Sequence, residues 1–198
     1  MILGITGSIG SGKTTAAKLF GKHNYKVIDA DEIAHGLLKN DSKIYKKIAD
    51  EFGKEILDEN KDIDRKKLGE VAFNDDKKLK KLNSIMHPAI AKDIKNKISE
   101  IRDKCGNKTR IMIDAPLLLE SGARGFVDKI IVVDAGIINI LKRNMKFSQR
   151  QIERILKLQM PLKAKLGHAD FVIDNSKDLK YLEHQVAEIA KALENDIR

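Results

Sequence analysis

The stretch Gly7-Ser8-Ile9-Gly10-Ser11-Gly12-Lys13-Thr14 decides the fold. A glycine, four residues, a second glycine, lysine and a hydroxyl residue follow the apolar run Ile2 to Ile5 and open a helical stretch, Thr14 to Phe20. Strand, glycine-rich turn and helix form the setting in which this pattern cradles phosphate; without it the pattern is only a turn. Glycines at 7, 10 and 12 allow positive φ and close backbone approach, so successive N–H groups can face phosphate oxygens. The helix start adds roughly half a positive charge. Lys13 can reach the β and γ phosphates, and the Thr14 hydroxyl can enter the octahedral shell of magnesium. Gly7, Gly10, Ser11, Gly12, Lys13, Thr14 and Thr15 are therefore candidate contacts for a nucleoside triphosphate.

Working outward, strand and helix alternate. Lys26 to Ile28 is a second strand candidate, followed by Asp29 and Asp31 and then a helix through Ile33, Leu37 and Leu38. Arg110 to Asp114 and Lys129 to Asp134 are near-continuous apolar runs, as expected of parallel strands covered on both faces. Phe171 to Ile173 is a fifth candidate, and Leu182, Val186, Ile189 and Leu193 give a closing helix its packing face. An open sheet of this type binds ligands at the carboxyl ends of its strands. Asp114 there can orient magnesium through water or merely end a strand. Asp31 can accept the proton of an attacking hydroxyl or cap the helix that follows, and Asp29 competes for the first role with a buried position at the strand end.

Two insertions interrupt the alternation. Residues of about 40–104 read as a helical lobe, with Asn74 as an N-cap and a stripe of Leu79, Leu82 and Met86 that Pro88 interrupts before Ile90, Ile94 and Ile101. Residues of about 142–166 read as a basic lid, with Ser148 and Gln151 as a capping box, Ile152, Ile155 and Leu156 on one face, and Arg150, Arg154 and Lys157 on the other. That stretch holds eight basic residues from Lys142 to Lys165 against Glu153 alone, out of a formal charge of +9 for the chain. Such a concentration suits phosphate contact, although a basic helix with one apolar face can equally be a solvated helix on a core.

Composition narrows the class. With 198 residues, 42% apolar and 34% charged, the chain suits one full-sized globular domain and not a disordered segment. No apolar run approaches a membrane span, the amino terminus lacks the form of a secretory signal, and the single Cys105 suits a reducing compartment, so a cytoplasmic location without membrane partners is expected. With no Trp, and only Phe147 within the basic stretch, stacking platforms for nucleic acid are lacking, and no nucleic-acid partner is expected. A guanine-reading Asn-Lys-x-Asp is absent, which favours a kinase over a switch GTPase.

Gly4 to Thr15, Val27-Ile-Asp-Ala-Asp31, Asp114-Ala-Pro-Leu-Leu-Leu-Glu120, Gln159-Met160 and Ala169-Asp-Phe-Val-Ile-Asp-Asn175 together resemble dephospho-CoA kinases, in order and over nearly the whole chain. The resemblance implies an α/β fold: a three-layer P-loop NTPase core with a five-stranded parallel sheet, an inserted helical substrate domain and a short basic lid. It implies transfer of the γ-phosphoryl group of ATP, with Mg2+, to the ribose 3′-hydroxyl of dephospho-CoA. In that comparison Asp31, Lys13 and Arg143 are catalytic, Thr14 and Asp114 serve magnesium, Asn175 joins the ATP contacts, and Arg65 and His87-Pro88 fall in the substrate domain. The pattern departs at Ser8 and Lys177, where glycine is usual, and the chain is shorter between Arg143 and Ser148, where Lys146 stands instead of a further arginine. The rival reading is another small-molecule P-loop kinase, for a nucleoside monophosphate or shikimate; the oligomeric state is left open.

Overall fold

The computed structural model describes residues 1–39, 42–143, 152, 156–157 and 159–195. Five strands, β1 (Ile2–Gly7), β2 (Tyr25–Asp29), β3 (Arg110–Asp114), β4 (Lys129–Asp134) and β5 (Phe171–Asp174), form one parallel sheet in the order β2-β3-β1-β4-β5. Parallel pairing requires a crossover between strands, and the helices supply it. They are α1 (Lys13–Lys22), α2 (Ala30–Leu37), α3 (Lys43–Phe52), α4 (Arg65–Phe73), α5 (Asp76–Cys105), α6 (Gly136–Arg143), α7 (Leu162–Leu166) and α8 (Leu179–Asn195).

Strands β1, β3 and β4 read as continuous apolar runs because both faces are covered. On one face Leu3, Ile5, Met112, Ile131, Val133 and Ile173 pack with Ala16, Ala17 and Phe20 of α1 and with Leu182, Val186 and Leu193 of α8. On the other face Gly4 admits Leu118: an added Cβ would stand 2.5 Å from Leu118 Cδ2. The register sets Ile5 beside Asp114 and Asp29 beside Asp114, so these aspartates and the glycine-rich loop share the carboxyl edge of the sheet.

Contacts divide the chain into two compact units, Met1–Asp29 with Ile98–Arg198, and Ala30–Lys97. The second unit begins earlier than the helical stretch of about 40–104, because α2 packs Ala34 and Leu37 into its core with Ile48, Phe52, Leu68, Ala72 and Met86. Its C-terminal bound falls inside the uninterrupted helix α5.

Two local expectations are corrected here. Asn74 ends α4 as its C-cap, and it is Asp75 that receives the amides of Lys77 and Lys78 at 2.7 and 3.3 Å at the start of α5. Pro88 does not break α5, which runs 30 residues through it. A proline removes one bond to the carbonyl four residues back, and the remaining turns hold the helix across the gap. None of the described helices is long and apolar enough to cross a membrane.

Candidate active site

The glycine-rich loop is shaped by more than one constraint. Gly10 and Gly12 have φ of 71° and 88°, in the left-handed region that favours glycine. Gly7 does not; its Cβ would lie 2.5 Å from both Ser11 Oγ and the carbonyl oxygen of Val133, so closeness to β4 excludes a side chain there. Ser8 is absent from the non-glycine residues with positive φ, Asn24 and Lys61, which explains why serine is tolerated at that point.

Gly12 is the N-cap of α1 and brings no side-chain cap bond. The first amides of a helix have no partner within it, so the start of α1 is suited to an anion, reinforced by the helix dipole. Lys13 Nζ lies 2.9 Å from Asp114 Oδ1 and 3.4 Å from Thr14 Oγ1. Asp114 is 1% exposed, and Oδ2 has no hydrogen-bond partner among the described residues. An ionised carboxylate so buried needs a cation or water at its second oxygen. A hard, largely hydrated magnesium ion held by the Thr14 hydroxyl fits that requirement.

Asn175, just after β5, is buried and donates from Nδ2 to the carbonyl of Ser11 at 2.7 Å. Arg143, at the end of α6, donates to the carbonyl of Asn175 at 2.9 Å and to that of Ser11 at 3.4 Å. The guanidinium is thereby held against the phosphate loop. Lys177, at the second departure from the family pattern, sits 4.2 Å from the centre of the Tyr181 ring. The neighbouring Asp174 carboxyl is held below its usual value mainly by the Ser176 hydroxyl and amide.

Asp31 lies two residues beyond β2, exposed, in the first turn of α2 and thus in the other unit. Because α2 begins at Ala30, Asp31 is inside the helix and is not its N-cap. Asp29 is half-buried, less enclosed than a strand-end position suggested. Within the helical unit, Arg65 Nη1 lies 3.3 Å from His35 Nδ1, and a cleft of about 630 Å³ is lined by His35, Lys39, Asp62, Arg65 and Lys66 among others. His87 is half-buried in α5, next to Pro88.

Of the basic insertion, Lys146, Ser148, Arg150, Gln151, Arg154 and Ile155 lie outside the described residues. Ile152 and Leu156 pack with Ala135 and Ile140, as their apolar face implies. Lys165, one of the eight basic residues that give the stretch its charge, is fully buried. Its Nζ donates to the carbonyl of Pro116 at 2.6 Å and lies 3.1 Å from Glu120 Oε1. Burial pushes its ammonium below the usual lysine value, against the opposing pull of Glu120, and Lys13 adds repulsion. Its local sequence, where it is one of two lysines in Leu162-Lys-Ala-Lys-Leu166, carries no sign of this role.

Comparison with known proteins gives the family. The family model for dephospho-CoA kinase matches residues 1–181. A dephospho-CoA kinase of Aquifex aeolicus is 38% identical over 98% of each chain, and one of Carboxydothermus hydrogenoformans is 40% identical over 95% of this chain and 92% of that one. Among solved structures, a dephospho-CoA kinase from Campylobacter jejuni superposes with a TM-score of 0.70 at 29% identity, covering 100% of this chain and 98% of that chain. A crystal structure from Thermus thermophilus reaches 0.80 at 26%, covering 98% and 97%. A shikimate kinase from Aquifex aeolicus, at 0.54 and 17% over 100% and 98%, shares the fold alone. Carrying a phosphate-binding loop, a buried strand-end carboxylate and a full-length match to the same relatives, the chain belongs to the dephospho-CoA kinase family.

Proposed function

We propose that this enzyme transfers the γ-phosphoryl group of ATP to the 3′-hydroxyl of dephospho-CoA in the cytoplasm, with Asp31 receiving the hydroxyl proton. The observation that carries the site assignment is the buried Asp114 carboxylate 2.9 Å from Lys13, at a loop whose N-cap glycine leaves the first amides of α1 to an anion. Those amides hold the phosphates, and Lys13 neutralises charge on the β and γ groups. Thr14 and, through water, Asp114 would hold a magnesium ion, which would supply further charge neutralisation to the phosphates. Arg143, held at the loop by its bonds to Ser11 and Asn175, adds a cation beside the transferring group.

The acceptor oxygen forms a bond to the γ phosphorus as the bond to the bridging oxygen of ADP breaks, and the proton passes to Asp31. The cleft is lined by Lys39, Arg65 and Lys66 but also by Asp58, Asp62 and Asp64, so its charges balance and it exerts no net pull on an acceptor that carries phosphates. ADP release measured with dephospho-CoA, nucleoside monophosphates and shikimate in parallel tests the reading. Release that depends on dephospho-CoA is expected. Equal release without an acceptor, or preference for a monophosphate or shikimate, overturns it.

A further inference from the structure

Among the described residues Lys165 is the one lysine in the set of fully buried large side chains, and its partners are unusual in where they lie. Thr6, the last residue before Gly7, donates from Oγ1 to the carbonyl of Pro116 at 3.1 Å, and Lys165 Nζ donates to the same carbonyl while lying 3.4 Å from Thr6 Oγ1. Pro116 is two residues past Asp114. Glu120 closes the same loop: one oxygen, Oε1, receives both the Lys165 ammonium at 3.1 Å and the backbone amide of Met160 at 2.8 Å. Leu118, between them, is fully buried. The end of β1, the loop leaving Asp114 and, through Glu120, the backbone of Met160 within the basic insertion therefore converge on one ammonium.

We propose that Lys165 is a positioning residue for phosphoryl transfer, fixing the Pro116–Glu120 loop and, through Glu120, Met160, so that Asp114 is held at its place beside Lys13. A buried cation leaves the unfolded chain's water only at a cost, and Pro116 and Glu120 recover part of it. A neutral side chain of the same length would fill the space as well. What the charge adds is direction, because carbonyl, hydroxyl and carboxylate can all be satisfied at once in one loop conformation only. Fully buried and bonded to Pro116 and Glu120, Lys165 acts through the loop.

The inference rests on the kinase reading, and the experiment separates the two. Wild-type protein is first shown to release ADP in response to dephospho-CoA; absence of that activity defeats the kinase reading itself. Lys165→Met, Glu120→Gln and the double variant are then compared for kcat and for ATP affinity by direct titration, at a temperature well below their melting transitions. A misplacement on the ångström scale costs up to about a hundredfold in rate. Lys165→Met is expected to lower kcat by roughly tenfold to a hundredfold on this scale while ATP affinity stays near wild type. The double variant should lose no more than the worse single variant, since both changes break one unit. Should Lys165→Met not fold, Thr6→Val, which removes one bond to Pro116 and keeps the charge pair, carries the same kcat test. Amide exchange at Met160 and across 117–120 should quicken in each folded variant. Wild-type kcat in a folded Lys165→Met or Thr6→Val protein, with only the melting temperature reduced, would make Lys165 structural and overturn the proposal, as would additive losses in the double variant.

Discussion

The side-chain amide of Asn175 lies over Gly12, so close that a Cβ on that glycine would overlap its Nδ2, and it donates 2.7 Å to the carbonyl of the preceding Ser11. The loop after β5 thus closes on the turn where the phosphate loop becomes a helix. Arg143 joins the same pair from α6, through the carbonyls of Ser11 and Asn175.

Gly12→Ala is therefore expected to weaken ATP binding by roughly tenfold or more. A side chain at φ of 88° carries strain of about 1–2 kcal/mol, and it also displaces Asn175. Gly36→Ala is the control: nothing lies within 4 Å of that Cβ, and alanine in a helix is favoured by about 0.5–1 kcal/mol. Nucleotide titration and thermal melting of the two variants check the contrast; equal ATP affinity in both would mean that the loop relaxes freely around the added methyl group.

Lys13→Met should reduce turnover by about a hundredfold or more, as expected when one preorganised cation at a reacting group is lost. It should also destabilise the fold. Asp114 would be left as a buried charge without its partner, a loss on the order of 3–5 kcal/mol. Adding Asp114→Asn should restore much of the melting temperature and none of the turnover, and recovery of both would remove the pair from the chemistry.

Asp31→Asn separates proton acceptance from other roles. Asn retains size and hydrogen bonding but loses the basic site, so ATP affinity should persist while kcat falls by roughly a hundredfold to ten-thousandfold. An intermediate fall points to positioning of the hydroxyl, because a loose phosphoryl-transfer transition state needs the proton removed late. Near-normal turnover would transfer the test to Asp29.

Acid should loosen the helical unit through its caps. The carboxylates of Asp64 and Asp75 accept amides at the starts of α4 and α5, and these bonds hold both carboxyls below their usual 3.8. An acid lowered in the folded state contributes stability that is complete above the unfolded value and is lost as pH falls through the folded one. Melting should therefore decline as pH drops below about 3.8. The double variant Asp64→Asn, Asp75→Asn keeps capping oxygens that do not titrate. Its melting temperature should depend less on pH over that range; an identical acid profile would assign the loss elsewhere.

The elements that were legible in the chain are those whose signal is local. Each of the five strands lies where an apolar run predicts it, and the phosphate loop lies between β1 and α1, because strand burial, on both faces for β1, β3 and β4, and glycine backbone freedom are written residue by residue. Caps were harder: Asn74 and Asp75 are adjacent and both suited to the task, and only the last turn of α4 decides which one starts α5. Pro88 is legible as a breaker, yet α5 continues because a helix packed along its length tolerates one missing bond.

The strand and helix alternation, the phosphate loop and the aspartates at the carboxyl edge are written in the sequence alone, all through patterns of consecutive residues. Tertiary structure decided which charges meet. Lys165 and Glu120 are 45 positions apart and Asn175 and Ser11 are 164 apart, so no periodicity connects them. A lysine among lysines becomes a buried pin only when the folded sheet removes water around it and brings the Pro116 carbonyl and the Glu120 carboxylate within reach.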